Sequence, residues 1–188
     1  MVSTAAVLAL PPSKNSPTQV LWVKDPGYAY EDLLVASVVG VSRYGIIVSK
    51  SLNVGNLGDF IKMARANPGK MNFGAVGPGN ITHLSGELLK SRTGIEFTTV
   101  HYKSGAESLN AMVGGQIDFA IDNIGAVRSL VNAGRLRAIA VTSSERIKSL
   151  PQVPTVGEPL PGYVVEGWHA IWAPKGTPKP IRDRLNKE

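Results

Sequence analysis

The sequence contains no cysteine. Disulfide bonds and thiol catalysis are therefore excluded. Long apolar runs are missing as well, since no stretch approaches the roughly 20 residues that a membrane-spanning helix needs. The short apolar segment 5–10 resembles the end of a signal-peptide core, but no basic residue precedes it. The sequence therefore shows no complete export signal.

Basic runs and aromatic stripes are also absent, although the 188-residue chain carries a formal net charge of +6. Lysines and arginines are scattered singly from Lys14 to Lys187, with acidic residues between them. Nucleic-acid-binding surfaces combine clustered cations with aromatic side chains. We therefore expect no nucleic acid partner, and infer instead a basic surface that attracts small acids.

From Asn53 onward, apolar residues alternate between helical spacing and short strand-like runs. Such alternation is typical of an α/β domain with a largely parallel sheet and right-handed crossovers. The predicted strands are 34–41, 44–49, 70–73, 95–101, 117–121, 136–141 and 167–173, with a further short strand at 20–23. The predicted helices are 57–64, 82–93, 105–113 and 124–131, with a surface loop at 143–163 and helical character after 174. Ligands of such sheets bind beyond the carboxyl ends of the strands, which places 74–82, 102–105 and 122–125 on one rim.

The most distinctive stretch is the glycine-rich turn 73–83, between a predicted strand and a predicted helix. Its three glycines can adopt backbone conformations that are closed to other residues. Asn80 or Thr82 is expected to cap the helix, whose first N–H groups have no partner inside it. Such a helix end carries about half a positive elementary charge and suits an anion. The predicted anion-binding residues here are Gly77, Gly79, Asn80, Ile81 and Thr82.

Two further strand ends carry polar residues. Segment 102–106 follows a strand and begins a helix, so it repeats the anion-binding arrangement with a lysine added. Asp122 and Asn123 end the next strand before another helix. An aspartate there serves either as an N-cap or as a carboxylate that orders water or a ligand amine or hydroxyl. These ends add Tyr102, Lys103, Ser104, Gly105, Ala106, Asp122 and Asn123 to the predicted ligand-binding residues.

Other kinds of site fit the sequence less well. Residues 77–82 almost match the dinucleotide fingerprint, but Thr82 replaces its third glycine and no acidic residue ends the next strand. His83 and Glu87 lie one helical turn apart without a third metal ligand at a suitable spacing, and His83 is expected to cover the start of its helix. No nucleophile elbow Gly-x-Ser-x-Gly occurs. We expect neither catalysis nor a cofactor nor a metal; a plain tight turn without ligand stays open.

Several motifs together resemble one particular family. They are Phe-Gly-x-x-Gly-x-Gly-x-x-x-His-Leu-x-Gly-Glu-Leu from position 73, His-Tyr-Lys-Ser-Gly-Ala-x-Ser-Leu from 101, and Gly-Gly-Gln-Ile-Asp-Phe-x-x-Asp-Asn from 114. Ala-Gly-Arg-Leu-Arg-Ala-Ile-Ala-Val-Thr-Ser from 133 and Leu-Pro-Gln-Val-Pro-Thr-Val-Gly-Glu from 150 follow them. In this order, over about residues 28–185, they resemble the Bug-type substrate-binding proteins of tripartite tricarboxylate transporters.

The resemblance implies a type II periplasmic-binding-protein-like α/β fold with two lobes, a Venus flytrap. Residues 50–165 would form the second lobe nearly whole, 1–49 a partial first lobe with hinge strands, and 166–188 an incomplete return into the first lobe. It also implies a monomer in the periplasm that binds a small di- or tricarboxylate through backbone amides, ordered waters and helix N-termini. The further partners would be the membrane subunits of a tripartite tricarboxylate transporter.

The chain departs from the pattern of this family in two respects. The glycine-rich carboxylate loop of the first lobe is not visible before Tyr28, so we expect a truncated member. Ala75 and Asn80 stand where the family often has hydroxyl side chains, although Asn80 can still cap a helix. The alternative interpretations are a small-molecule enzyme or an effector-binding domain that uses the same rim, or a non-functional gene fragment.

Overall fold

The computed structural model describes residues 2–3 and 32–187. The strands are β1 (Val2–Ser3), β2 (Leu33–Ser49), β3 (Met71–Val76), β4 (Phe97–Tyr102), β5 (Phe119–Asn123), β6 (Leu136–Val141) and β7 (Glu166–Pro174). The helices are α1 (Leu57–Ala66), α2 (Ile81–Thr93), α3 (Gly105–Val113), α4 (Ile124–Asn132) and α5 (Lys179–Lys187), with a 3₁₀ turn at Lys50–Leu52. None of the helices in these ranges has both the length and the apolar character of a membrane span.

The predicted alternation of strands and helices after residue 53 is confirmed, with small shifts at the element ends. The division into strands 34–41 and 44–49 is wrong, because β2 runs without a break from Leu33 to Ser49. The predicted helical character after 174 is confirmed by α5. The short strand predicted at 20–23 lies outside the described residues.

The described residues fall into two compact units, of which the larger spans Arg43–Val165. Its sheet has the order β6-β2-β5-β3-β4. The predicted parallel arrangement is confirmed for β3, which lies parallel to both β4 and β5. The exception in this largely parallel sheet is β2, which lies between β5 and β6 and is antiparallel to both. This insertion leaves Ile46, Ile47 and Val48 at most 1% exposed, as central-strand residues with both faces covered.

Aromatic side chains fill one face of this sheet. Phe73 of β3 and Phe119 of β5 lie 4.9 Å apart between ring centroids, and Phe60 of α1 packs edge-on against Phe119 at the same distance. Phe97 of the edge strand β4 completes the cluster. Helix α2 approaches this cluster closely at Gly86, where a Cβ atom would lie 2.2 Å from a ring carbon of Phe73. The glycine of the Leu-x-Gly-Glu motif is therefore required by packing.

Aliphatic side chains cover the opposite face. Leu109 and Met112 of α3 and Val127 of α4 pack with Ile117 and Ala120 beside and within β5. The segment 143–163 forms neither a helix nor a multi-residue strand, as predicted for a surface loop. It nevertheless contributes the buried side chains of Ile147, Leu150 and Val153 to this aliphatic cluster.

Loop residue Tyr163 is the largest fully buried side chain of the described residues. Its hydroxyl donates to the backbone carbonyl of Ser85 in α2 over 2.8 Å. Burial raises the pKa of this phenol well above its usual value. The hydroxyl therefore stays a donor, and the loop is fixed to the helix that follows the glycine turn.

The smaller unit combines β1, the part of β2 that precedes Arg43, and the segment from Glu166 onward. β1 pairs antiparallel with β7, with Val2 opposite Ile171. The Ser42 hydroxyl and Nε2 of His169 form a 2.8 Å hydrogen bond between β2 and β7. The assignment of these segments to a partial first lobe stays a prediction.

Candidate functional site

Three strand-to-helix connections lie at one edge of the larger unit, because β3, β4 and β5 run in the same direction. Helices α2, α3 and α4 begin directly after capping side chains, which are Asn80, Ser104 and Asn123. Each cap accepts the N–H of the second or third helical residue, as N-caps do. The sequence analysis offered either Asn80 or Thr82 as the cap of α2, and the structure shows that it is Asn80. The N-cap interpretation of Asp122 is wrong, because its neighbour Asn123 fills that position.

The glycine turn between β3 and α2 has the left-handed conformations that its sequence predicts, with φ of 53° at Gly77 and 75° at Gly79. The N–H of Gly77 donates to the carbonyl of Tyr102 at the end of β4 over 3.1 Å. The N–H of Gly79 donates to Nδ1 of His83 over 3.2 Å. Both of these N–H groups therefore stabilise the turn itself.

Thr82 also serves the turn. It is 5% exposed, its hydroxyl accepts the N–H of Val76 over 2.9 Å, and its own N–H donates to the Asn80 side chain. Pro78 has no N–H to offer. Among the described residues, the N–H groups of Asn80 and Ile81 have no protein acceptor. Of the backbone N–H groups in the predicted anion-binding turn, these two are therefore the ones available to an anion.

Asp122 lies against the start of the neighbouring helix. Its Oδ2 would be 2.9 Å from a Cβ atom on Gly105, the first residue of α3, while Oδ1 accepts the N–H of Asn123 over 2.7 Å. Asp122 is 7% exposed. Burial raises the pKa of this carboxyl, against the opposing effect of the Asn123 N–H. The structure thus brings together Gly105, Asp122 and Asn123 from the predicted residues.

Tyr44 is a residue near this edge that the sequence did not single out. It lies opposite Asn123 where β2 pairs with β5. Burial and the charge of Asp122 raise the pKa of its phenol. The pattern of residues 44–49 indicated a buried strand, but the identity of its sheet neighbour is set by tertiary pairing. No local signal could have placed Tyr44 beside Asp122.

Tyr102 and Lys103 are less closely associated with the other predicted residues. Tyr102 lines an open depression of about 440 Å³ beside α3, together with Glu107, Asn110, Ala111 and Gln116. Lys103 is exposed, and its N–H donates to the Glu107 carboxylate over 3.0 Å. Ser104 and Ala106 are exposed in the first turn of α3. A role for Tyr102 and Lys103 in ligand binding stays a prediction.

His83 occupies the place that the sequence suggested, over the start of α2. Its ring lies 4.9 Å from that of His101 in an edge-on arrangement, and its Nε2 is 3.9 Å from Glu87. Burial, and then the neighbouring His101, lower the pKa of His83, while Glu87 opposes them. Residues 2–3 and 32–187 contain no group of three or more acidic or histidine side chains arranged to hold a metal ion.

This edge therefore presents two complementary kinds of group. At the start of α2 are backbone donors, which together with the helix dipole suit an anion. At the end of β5 is the carboxylate of Asp122, an acceptor with one oxygen close to the start of α3. The arrangement can hold a small acid by hydrogen bonds. It contains no hydrogen-bonded pair of nucleophile and base among these residues.

Comparison with known proteins identifies the family. The model of the tripartite tricarboxylate transporter family receptor, TctC, matches residues 15–188. A UPF0065 protein encoded in the tcbD-tcbE intergenic region of Pseudomonas sp. strain P51 is 37% identical over 145 residues, which are 76% of this chain and 43% of the relative. BugT of Bordetella pertussis is 34% identical over 163 residues, 86% of this chain and 50% of the relative. The chain thus spans about half the length of the curated relatives it matches.

Three solved structures share the fold. R. palustris Rpa4515 with adipate is 37% identical, with a TM-score of 0.78, and 86% of this chain matches 55% of that one. The periplasmic binding protein BugD is 32% identical with a TM-score of 0.80, at 89% and 57% coverage. MatC from Rhodopseudomonas palustris with bound malate is 27% identical with a TM-score of 0.77, at 88% and 56% coverage. The chain therefore belongs to the TctC family, the receptors of tripartite tricarboxylate transporters, and has the α/β fold of their periplasmic binding proteins.

Proposed function

We propose that this chain is an extracytoplasmic solute-binding protein that captures a small di- or tricarboxylate without converting it. It acts in the periplasm and delivers the acid to the membrane subunits of a tripartite tricarboxylate transporter. Two similar proteins were solved with dicarboxylates, adipate and malate, and a third is a periplasmic binding protein. These properties of the relatives support the proposal, and the chemistry of the described edge agrees with them.

The observation that carries the proposal is the pair of unpartnered N–H groups at Asn80 and Ile81. They begin α2, a helix of 13 residues, directly beyond the carboxyl end of β3. A ligand carboxylate would accept both, and a hydrogen bond to a charged group is worth about 1.5–3 kcal/mol. The helix dipole adds to this attraction. Asn80 and Ile81 are therefore assigned to the carboxylate, while Gly77, Gly79 and Thr82 shape the turn that presents them.

The first experiment is a thermal-shift and calorimetric series on the 188-residue chain. Succinate, malate, adipate and citrate are compared with NAD and ATP as controls. A ligand at 100 times its Kd stabilises the folded state by about 2.7 kcal/mol, which gives a readily measured shift in Tm. We expect carboxylates to shift the melting curve and nucleotides to leave it unchanged. A shift by nucleotides alone would contradict the proposal.

A matched pair of variants tests the donors themselves. Ile81→Pro removes one N–H at the first helical position, where proline is well tolerated, and Asn80 has the extended φ and ψ (−69°, 156°) that a following proline requires. Ile81→Ala truncates the same buried side chain but keeps the N–H. We expect the proline variant to bind at least ten-fold more weakly than the alanine variant. Equal affinities would show that this amide does not hold the ligand.

The enzyme alternative is tested separately. The bound acid is incubated with the protein and followed by proton NMR over several hours. The solute-binding proposal requires an unchanged spectrum. Turnover of the acid would favour the enzyme interpretation even if binding is strong.

A further inference from the structure

The part of β2 that belongs to the smaller unit, residues 33–42, contains no charged side chain. It contains no proline either, and four of its residues are valine. All four valines are exposed, with 42–58% of each residue accessible to solvent: Val35, Val38, Val39 and Val41. Natural edge strands are normally protected by charges, prolines or covering elements. An exposed apolar strand of this length therefore indicates a surface for pairing.

Only one edge of this segment is occupied by another strand of the described residues. β2 is hydrogen-bonded to β7, and the bond between Ser42 and His169 joins the same two strands. β5 and β6 pair with β2 only from Tyr44 onward. The second edge of 33–42 thus has no strand partner in the part of the chain that the structure describes. Its backbone N–H and C=O groups are a template for a further strand.

The sequence of the segment is nearly symmetric about Val38. Val35 lies three residues before it and Val41 three residues after it, while the small residues Ala36 and Gly40 lie two residues away on either side. In an antiparallel pair with Val38 opposite Val38, each Val35 would be opposite the Val41 of the other strand. A strand with this symmetry is complementary to itself, which is the property of a two-fold interface between identical chains.

The charges at the two ends of the segment favour the same arrangement. The nearest charged residues are Asp32 before it and Arg43 after it. Antiparallel pairing of two copies places the acidic end of one strand at the basic end of the other. Parallel pairing would bring like charges together at both ends. Charge and symmetry therefore both select the antiparallel pair.

We propose that residues 33–42 are a self-association surface, to which a second copy of this chain adds its own β2 in the antiparallel register centred on Val38. Val35, Val39 and Val41 of both copies would share one face of the joined sheet, and the two Val38 side chains would meet on the other. This contact is smaller than the roughly 800 Å² per partner of a typical stable interface, so we expect a Kd of about 1–100 μM. The proposal differs from the monomer that the family resemblance implies.

Single-cysteine variants test the register, because the sequence itself has no cysteine. In Val38→Cys the two cysteines of the dimer would be directly opposite, with Cα atoms about 4.5–5.5 Å apart, which suits a disulfide. Val35→Cys is the matched control on the same strand. Its two cysteines would be six residues out of register, roughly 20 Å apart. Under mild oxidation we expect Val38→Cys to form linked dimers at least about ten-fold faster than Val35→Cys.

A mixture of two variants checks the same register from the other side. Val35→Cys and Val41→Cys should each cross-link slowly alone. When they are mixed, the two positions lie opposite each other in the proposed dimer. We expect the mixture to form linked dimers at a rate close to that of Val38→Cys, with one chain of each kind in the product by mass spectrometry.

Sedimentation velocity on the unaltered 188-residue chain measures the association itself. We expect the dimer fraction to rise as the concentration increases from about 1 to 200 μM. Val38→Lys places a charge at the centre of the pairing edge and should raise the Kd at least about ten-fold. Ile181→Lys, a comparable change at an exposed position of α5 in the same unit, should leave it within about two-fold of wild type. Circular dichroism establishes that each variant is folded.

A chain that stays monomeric up to about 200 μM overturns the proposal, and another segment or another protein then covers the strand. Dimers that survive Val38→Lys would use a different surface. Equal cross-linking rates of Val38→Cys and Val35→Cys, or large aggregates in place of dimers, would contradict a defined two-fold pair. None of these outcomes depends on carboxylate binding, so the proposed function stands or falls separately.

Discussion

The carboxylate of Asp122 occupies the space that a side chain at Gly105 would need, with Oδ2 2.9 Å from the Cβ position. The contact joins the end of β5 to the start of α3. The positive end of the α3 dipole favours the charge, but burial has the larger effect and raises the pKa of Asp122. A carboxylate that loses its hydration by burial destabilises the folded chain. Such a group is typical of binding sites.

The first prediction is that Asp122→Asn stabilises the ligand-free protein at neutral pH. A carboxyl whose folded pKa is raised above its usual 3.8 binds more protons when folded than when unfolded. The free energy of unfolding therefore falls as pH rises from 3.8 through the raised pKa, and the penalty is fully present above that pKa. We expect the Tm difference between variant and wild type to be positive at pH 7 and to shrink as pH falls toward 3.8.

Melting curves between pH 4 and 8 measure this difference. Glu145→Gln provides the control, because it removes a carboxylate from an exposed loop position. A constant difference across the range, or a lower Tm of Asp122→Asn at pH 7, would show that burial of the charge is not destabilising here.

The second prediction concerns Gly86, which faces Phe73 in the aromatic face of the larger unit. Alanine gains about 1 kcal/mol of helix propensity over glycine. Its Cβ, however, would lie 2.2 Å from a ring carbon of Phe73, and overpacking of this kind costs about 1–3 kcal/mol or more. We expect Gly86→Ala to lower stability in chemical denaturation. A more stable variant would mean that the Phe73 ring can shift at little cost.

Gly114 offers a comparison for that variant. It follows α3, and its nearest contact would be an ordinary 3.4 Å from a backbone oxygen. Gly114→Ala should therefore have a much smaller effect than Gly86→Ala. Similar losses in both would point to general backbone effects and not to the Phe73 contact.

The sequence predicted those features that depend on neighbouring residues. Positive φ at Gly77 and Gly79 follows from a tight turn, and a polar cap at Asn80 or Thr82 follows from their place at the start of a helical apolar pattern; the structure selects Asn80. Helix and strand positions after residue 53 followed from hydrophobic periodicity. These are local properties, and each is determined within a few residues.

The features that the sequence missed depend on tertiary pairing. The apolar residues of β2 are typical of a buried strand, but nothing in them indicates that the strand lies between β5 and β6. The same applies to the proximity of Tyr44 and Asp122, whose positions differ by 78 in the chain. At the glycine turn, the sequence predicted that backbone N–H groups are available as donors. It did not predict which of them are used within the turn itself. His83 and Thr82 accept two of the backbone N–H groups, which depends on side-chain rotamers.

The third prediction is that protonation of His83 destabilises the folded chain. Its pKa is lowered from 6.5, so the unfolded state binds more protons between the lowered pKa and 6.5. Stability therefore declines as pH falls through 6.5 and levels off below the folded pKa. Protonated Nδ1 also cannot accept the Gly79 N–H, which loosens the glycine turn.

Melting curves of wild type and His83→Gln from pH 8 to 5 check this expectation. Glu87 and His101, which face His83 from α2 and β4, remain in both proteins, so the difference isolates His83. We expect the wild type to lose more stability than the variant between pH 7 and pH 5. Parallel curves would show that the histidine charge is not disfavoured in the folded state.

The last prediction is that Gly79→Val impairs carboxylate binding more than His83→Gln does. Gly79 has φ of 75°, a conformation that costs an L-residue about 1–2 kcal/mol and a β-branched side chain more. Valine would therefore distort the turn that positions the N–H groups of Asn80 and Ile81, the proposed ligand contacts. His83→Gln exchanges the Nδ1 acceptor of the Gly79 N–H for the amide oxygen of a more flexible side chain, a loss of at most about 0.5–1.5 kcal/mol. We expect at least a ten-fold rise in Kd for the former and a smaller one for the latter.

Gly69→Val is the matched control for this comparison. Gly69 has φ of 72°, nearly that of Gly79, but it precedes β3 and so lies at the other end of the strand. The variant carries the same backbone strain without altering the glycine turn, and it should lower stability while leaving Kd within about two-fold of wild type. Equal losses of affinity in Gly79→Val and His83→Gln, with both folds intact by circular dichroism, would instead make His83 a direct ligand contact. A loss in Gly69→Val as large as that in Gly79→Val would trace the effect to general destabilisation, because strain at the opposite end of β3 reaches the ligand only through the stability of the whole unit.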